Sequence, residues 1–328
     1  MGIPSYFSYI VKNHPEIIQK FFSNEIHIDN LYMDCNSIIY DCYHMLSEEE
    51  RGTNITKILI SNVIDKIKTY IDTVFPRKTV IISFDGVAPV AKLEQQRTRR
   101  FKTWYQTTIT NQVYNKSDPS WSTASITPGT SFMKQLNNDI TKHFSALQEK
   151  NKWGPKIIVS TSDEPGEGEH KIFNKIRSEK EFHKNSNTIV YGLDSDLIML
   201  CLHHKHLCNT LNLYRETPQF IKQIDKTLNP NEVYTLDICL LAEKIIDTMT
   251  DTYNKNDNNL IHDYIFICFM LGNDFMPHHP AFNIRQNGIH VLLDKYKFLY
   301  SSKKNFCLTK DGGIVWNNVR KYITLLSE

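Results

Sequence analysis

Three short runs of apolar, β-branched or aromatic residues each end in a carboxylate: NLYMD at Asp34, TVIISFD at Asp85, and NTIVYGLDSD at Asp194 and Asp196. Glu167 and Glu169 stand together in DEPGEGEHKIFNKI, and Asp274 follows the apolar segment YIFICFML within GNDFMPHHP. Taken singly, each acid reads as a helix cap or a solvated surface group. Aimed at one place, such a set is costly unless cations neutralise it. Hard oxygen ligands with no Cys or His at metal-binding spacing suit Mg²⁺ or Mn²⁺, and an excess over one ion's needs points to a pair. Two such ions can activate a water and stabilise the leaving oxygen of a phosphodiester.

A second set of residues suits the other half of that chemistry. VAPVAKLEQQRTRRFK, residues 87–102, packs Lys92, Arg97, Arg99, Arg100 and Lys102 around one acid, Glu94. On a helix, at about 100° per residue, Lys92, Gln96, Arg99 and Arg100 fall within a wedge of roughly 100°. Arginine forks match phosphate oxygens, and Gln96 adds an amide donor. A phosphate-binding stripe a few residues after Asp85 is the layout of a nuclease that grips an end.

Strands alternating with helical stretches predict an α/β fold, a mostly parallel central sheet flanked by helices, in which ligands bind beyond the carboxyl ends of the strands. Asp34, Asp85 and Asp194 are then expected at one sheet edge. A further strand, PKIIVS (155–160), leads through a turn at Pro165 and Gly166 to a helix that starts at Glu167 and Glu169. SYFSYIVKNHPEIIQKFF reads as an amphipathic helix broken near Pro15. The polar stretch 105–125 reads as a mobile loop near a substrate entrance, and 251–259 as a surface linker. There is no internal repeat.

With 328 residues, 41% apolar and 23% charged, the chain can bury a sizeable core in one large domain or two coupled ones. Its 38 basic and 36 acidic residues leave a formal +2, so any charge-driven binding must be local. Seven widely spaced cysteines fit reduced thiols in an intracellular protein. CLHHKHLC (201–208) matches no zinc spacing, and Tyr6 stands where an N-myristoylation motif needs Ser or Thr. No apolar run is long enough for a membrane span, and no signal-peptide pattern is present. Walker A, dinucleotide, Gly-x-Ser-x-Gly and His-Glu-x-x-His motifs are all missing.

The stretches MGIPSYFSYIVKNHP, LYMDCNSIIYDCYH, FDGVAPVAKLEQQRTRRFK, SITPGTSFM, DEPGEGEHKIF, YGLDSDLIML, FICFMLGNDFMPH and NIRQNGIHVLLDKY resemble, in order, the XRN group of 5′→3′ exoribonucleases, within the PIN and flap-endonuclease-like metal nucleases. The resemblance implies a single nuclease domain over 1–328, with an α/β catalytic core (1–215) and a mostly helical portion (216–328) carrying the GNDF motif. It implies that Asp34, Asp85, Glu167, Glu169, Asp194, Asp196 and Asp274 hold two divalent ions, Mg²⁺ or Mn²⁺. It also implies that Lys92, Gln96, Arg99 and Arg100 bind a 5′-monophosphate on single-stranded RNA, releasing one 5′-mononucleotide at a time. In such a pocket a capped or triphosphorylated end clashes, and a 5′-hydroxyl leaves donors unpaired. Tyr40 replaces the family's base-stacking histidine, and a tyrosine ring can stack likewise or simply fill core. The family's second conserved region, which closes over the site, is not recognised in this sequence. A minimal enzyme and one whose substrate channel is completed by a protein partner both stay open. The alternatives are a flap-type endonuclease or 5′ exonuclease acting on DNA, and a catalytically silent RNA-end binder or scaffold. The expected compartment is intracellular, cytoplasmic rather than nuclear, with no membrane.

Overall fold

The computed structural model describes the chain except for residues 1, 2, 4, 22–26, 53, 115–120, 152–153, 217–227, 230–231, 252–257 and 304–305. Two compact units emerge: Phe22–Glu179 with Ser186–Gly192, and Met1–Phe21 with Lys180–Asn185 and Leu193–Glu328.

Numbered along the chain, the first of these units holds β2 (Asn30–Asp34), α2 (Asn36–Met45), α3 (Glu48–Gly52), α4 (Ile55–Val74), β3 (Thr79–Ser83), α5 (Val90–Val113), α6 (Ser131–Lys150), β4 (Lys156–Ser160), α7 (Gly168–Ser178) and β5 (Asn187–Tyr191). The strands pair in parallel in the order β5-β2-β3-β4. Leu31, Tyr32, Met33, Val80, Ile82, Ile189, Val190 and Tyr191 are fully buried, as strands covered on both faces require. Helix α7 packs on β2 and β3, and α6 on β4. The fold is therefore α/β with a parallel sheet flanked by helices, as the alternation predicts.

Register sets the functional edge. Asp34 lies opposite Ser83, and Ser83 opposite Ser160, so the carboxyl ends of β2, β3 and β4 are level. At the other end, buried Asp29 accepts from the Asn187 N–H (2.9 Å) and pairs with Lys78 Nζ (3.1 Å), tying the strand starts together.

The second unit contains α1 (Tyr6–Asn13), β1 (Ile18–Lys20), α8 (Lys180–Lys184), α9 (Asp196–His204), β6 (Thr210–Arg215), β7 (Tyr234–Asp237) and helices Ile238–Met249, Asn258–Phe269, Gly288–Ser302 and Trp316–Leu326. Strands β1, β7 and β6 pair antiparallel in that order. Buried Asp263 accepts from Tyr296 Oη (2.6 Å), Leu308 N (2.8 Å) and Thr309 N (2.6 Å), which gathers the C-terminal helices around one carboxylate.

Two local expectations are corrected. The N-terminal amphipathic helix breaks at Asn13, as expected near Pro15, which lacks the N–H that would continue it; the part beyond the Pro15–Ile17 turn is not helix, since Ile18–Lys20 is a strand opposite Leu236–Tyr234. The stretch expected to be a loop from residue 105 is helical to Val113. Nothing in α5 beyond Pro89 is Gly or Pro, and the Thr103 and Thr107 hydroxyls bond back to the carbonyls four residues earlier rather than opening the chain. Residues 115–120 of that stretch, and 252–257 of the expected linker, lie outside the described residues.

Candidate active site

Asp34 closes β2 and Asp85 follows β3 by two residues, so both carboxylates stand at the same sheet edge. Asn36, the first residue of α2, locks Asp85 in place. Its Nδ2 donates to Asp85 Oδ2 (2.7 Å), while its Oδ1 accepts from the Asp85 N–H (3.0 Å). The other carboxylate oxygen, Asp85 Oδ1, accepts from the Gly168 N–H at the start of α7 (2.7 Å). Such backbone donors at a helix N-terminus favour the charged form of a carboxylate.

Gly168 is also where Asp34 fits. A Cβ at that position would lie 2.5 Å from Asp34 Oδ1 and 3.3 Å from the Ser83 carbonyl. The absent side chain is the space the Asp34 carboxylate uses. Flanking it, Glu167 and Glu169 are both buried, and with His170 they present ligand atoms within 4.8 Å of one another. Glu167 Oε1 is ion-paired with the buried Lys92 Nζ (2.7 Å). Glu167 Oε2 is buried and accepts no hydrogen bond from the described residues, with His170 Nδ1 3.4 Å away. Burial holds the His170 ring below the usual imidazole range, against the opposing pull of Glu167.

Lys171 staples the strand ends beneath this cluster. Its Nζ donates to the carbonyls of Phe84 (2.8 Å) and Thr161 (2.7 Å). Burial lowers its pKa, while Glu164, Asp85, Asp163 and Asp34 pull the other way. The loops after β3 and β4 are laced through Gly86 N to the Gly166 carbonyl (2.8 Å) and Gly166 N to the Val87 carbonyl (3.0 Å). Gly166 has φ +97°, which a residue with a side chain rarely adopts.

Four of the seven candidate acids, Asp34, Asp85, Glu167 and Glu169, thus surround Gly168. Asp194, Asp196 and Asp274 belong to the other unit. There Asp194 is exposed, Asp196 opens α9, and Asp274 lies in a turn that Asn273 Oδ1 holds by accepting from the Phe275 and Met276 N–H groups (both 2.8 Å). Of the basic stripe, Lys92 is buried against Glu167, Arg99 is exposed, and Arg100 is half-buried, its Nη2 3.4 Å from Gln96 Oε1. Tyr40, on α2, is half-buried rather than core. Burial raises its pKa, and the charges of Arg99 and Arg100 act against that shift. Asn36, Gly168, His170 and Lys171 had no assigned role from sequence. Their signals were an amide two residues after Asp34, a glycine between two glutamates, and a basic pair that continues the same helix.

What these elements define is an α/β nuclease-like arrangement, a carboxylate-lined strand edge joined to a cationic helix. Residues 1–217 match the XRN 5′-3′ exonuclease N-terminus, and residues 254–328 match the Xrn1 helical domain. The chain belongs to the XRN 5′-3′ exonuclease family. It is 37% identical to 5′-3′ exoribonuclease 1 of Saccharomyces cerevisiae, covering 90% of this chain and 20% of that protein. It is 30% identical to 5′-3′ exoribonuclease 2 of the same yeast (95% of this chain, 37% of that protein) and 29% identical to 5′-3′ exoribonuclease 2 of Arabidopsis thaliana (98% and 39%). The chain therefore spans well under half the length of these relatives. Among solved structures, the catalytic core of Rad2 in complex with DNA substrate aligns with TM-score 0.48 at 13% identity, over 100% of this chain and 80% of that one.

Proposed function

We propose that this chain is a metal-dependent 5′→3′ exoribonuclease that degrades 5′-monophosphorylated single-stranded RNA to 5′-mononucleotides. The observation that carries the reading is the 2.7 Å pair between Lys92 and Glu167, which fastens the cationic helix to the carboxylate cluster. A phosphate held by Lys92, Gln96, Arg99 and Arg100 is then bound on the same helix that reaches the acids.

The donor set fits divalent cations. Asp34, Asp85, Glu167 and Glu169 are hard oxygen donors, Glu167 Oε2 is a buried acceptor without a hydrogen bond from the described residues, and Gly168 leaves the Asp34 carboxylate its room. Two Mg²⁺ or Mn²⁺ ions are proposed, with Asp194, Asp196 and Asp274 assigned to them on the sequence motifs alone. When bound, such ions supply a nucleophilic water at neutral pH and charge stabilisation at the leaving oxygen. The protein's own part is positional. Asn36 and the Gly168 N–H fix both oxygens of Asp85, Lys92 orients Glu167, and the arginines fix the terminal phosphate. Tyr40 is proposed to stack on the terminal base.

No described helix is long and apolar enough to cross a membrane. An intracellular, cytoplasmic setting is proposed, in keeping with seven widely spaced cysteines in the sequence. A protein partner that completes the substrate channel belongs to the same reading, on the family resemblance.

The test is a time course on two end-labelled single-stranded RNAs that differ only in a 5′-monophosphate or 5′-hydroxyl, with Mg²⁺ or EDTA, beside an Arg99→Ala/Arg100→Ala variant. Mononucleotide release that needs metal, the 5′-phosphate and both arginines is the expected result. Internal fragments from both RNAs, preferred cutting of a matched DNA flap, or binding without cleavage would each overturn it.

A further inference from the structure

Beyond Arg100, α5 carries an exposed aromatic surface that the proposed active site does not use. Phe101, Trp104 and Tyr105 are 62%, 57% and 53% exposed. Their rings touch one another: Phe101 and Tyr105 lie nearly parallel (16°) with centroids 6.2 Å apart, and Phe101 and Trp104 are 5.6 Å apart. Contiguous exposed apolar surface of this kind marks an interaction site more often than chance exposure does.

The neighbours of the rings say what the surface fits. At about 100° per residue, Trp104, Arg97, Phe101, Tyr105 and Lys102 follow one another around roughly 160° of the helix. Cations and rings therefore alternate on one face. Arg97 and Lys102 are exposed, and Glu94, the one acid among residues 90–113, is already paired with Arg97 at 2.9 Å. The rest of the helix is rich in Thr, Gln and Asn. Flat π-faces beside exposed cations, with no aliphatic side chain among residues 97–105, match bases and phosphates better than the apolar face of a protein.

We infer that this face of α5 is a second contact for single-stranded RNA, which stacks bases on Phe101, Trp104 and Tyr105 and pairs phosphates with Arg97 and Lys102. The inference rests on RNA being the substrate, and it concerns RNA beyond the gripped end. The Lys92, Gln96, Arg99 and Arg100 stripe is centred on roughly the opposite side of the same helix, and the two surfaces meet where Arg100 stands about 40° and one turn from Trp104. A strand held at Arg99 and Arg100 reaches the rings by following the helix for about one turn. The face is sequence-tolerant, because every base has a stackable surface.

The experiment compares the wild-type chain with Phe101→Ala/Trp104→Ala/Tyr105→Ala and with the ring-conserving Phe101→Tyr/Trp104→Phe. Anisotropy in EDTA reads binding, without cleavage, of a 5′-monophosphorylated trinucleotide and of a single-stranded RNA of about 20 nucleotides. The triple variant is expected to lose at least about five-fold in affinity for the long RNA per ring removed that stacks a base, to bind the trinucleotide as before, and to melt at the wild-type temperature. The ring-conserving variant is expected to keep most of the long-RNA affinity. Equal long-RNA affinity in wild type and triple variant would overturn the inference and leave the face to a protein partner. If the rings contribute to long-RNA binding but no 5′-phosphate-dependent release occurs in Mg²⁺, the exoribonuclease reading fails while the RNA contact stands.

Discussion

Gly168→Ala isolates the geometry of the acidic cluster from its charge. The backbone at Gly168 has no left-handed φ, so alanine enters without conformational strain, and at the first position of α7 it is a good helix former. Space is what it lacks. Its Cβ would stand 2.5 Å from Asp34 Oδ1, where ordinary contact begins at 3.4 Å, so the carboxylate must retreat by about 0.9 Å. Metal–ligand distances tolerate only about 0.2 Å, so a shift of this size removes Asp34 from any shared coordination while its charge stays in place. The Ser83 carbonyl, 3.3 Å from the same point, blocks an escape by α7 toward the sheet. Overpacking costs roughly 1–3 kcal/mol, offset by up to about 1 kcal/mol of helix propensity, so the fold survives. Titration calorimetry with Mn²⁺ should show affinity reduced about 10- to 100-fold, together with loss of any metal-dependent RNA degradation. Wild-type Mn²⁺ affinity in a folded Gly168→Ala chain would refute the placement of Asp34 as a ligand.

Lys92→Ala leaves Glu167 buried without its cation, which typically costs about 3–5 kcal/mol in urea unfolding; adding Glu167→Gln should recover a large part, and an unchanged midpoint for Lys92→Ala would show that the pair contributes nothing. Asp29 supplies a pH test. Burial alone would raise its pKa, but the bonds from Asn187 N–H, Lys78 and His27 outweigh it and lower the folded value. Its contribution is therefore present above the unfolded carboxylate range and is lost as pH falls through the lower folded value. Asp29→Asn should flatten the acid limb of a stability-against-pH curve, and an unchanged slope would remove Asp29 as its source.

The legible part of the fold was that which one-dimensional pattern controls. Parallel strands buried on both faces must be continuous apolar runs, so NLYMD, TVIIS and NTIVY announced themselves, and the first residues past such runs must fall at one edge when the strands are parallel. That logic reached Asp34 and Asp85 without coordinates. It could not reach the mutual support between them, because that support runs through groups with little sequence signal. Asn36 is an ordinary helix-start amide until its two bonds to Asp85 are seen, and Gly168 is an ordinary small residue until the Asp34 carboxylate is found in the place of its side chain. The misread stretch after residue 105 has the same origin. Polarity with Thr, Gln and Asn suggests a loop when side chains compete for the backbone, yet in α5 the hydroxyls of Thr103 and Thr107 bond to carbonyls within the helix and leave it intact. Helical order through Tyr105 sets that ring one turn beyond Phe101. Fixed at i and i+4 on one helix, Phe101 and Tyr105 stay side by side in solvent, the arrangement that the inferred RNA contact uses.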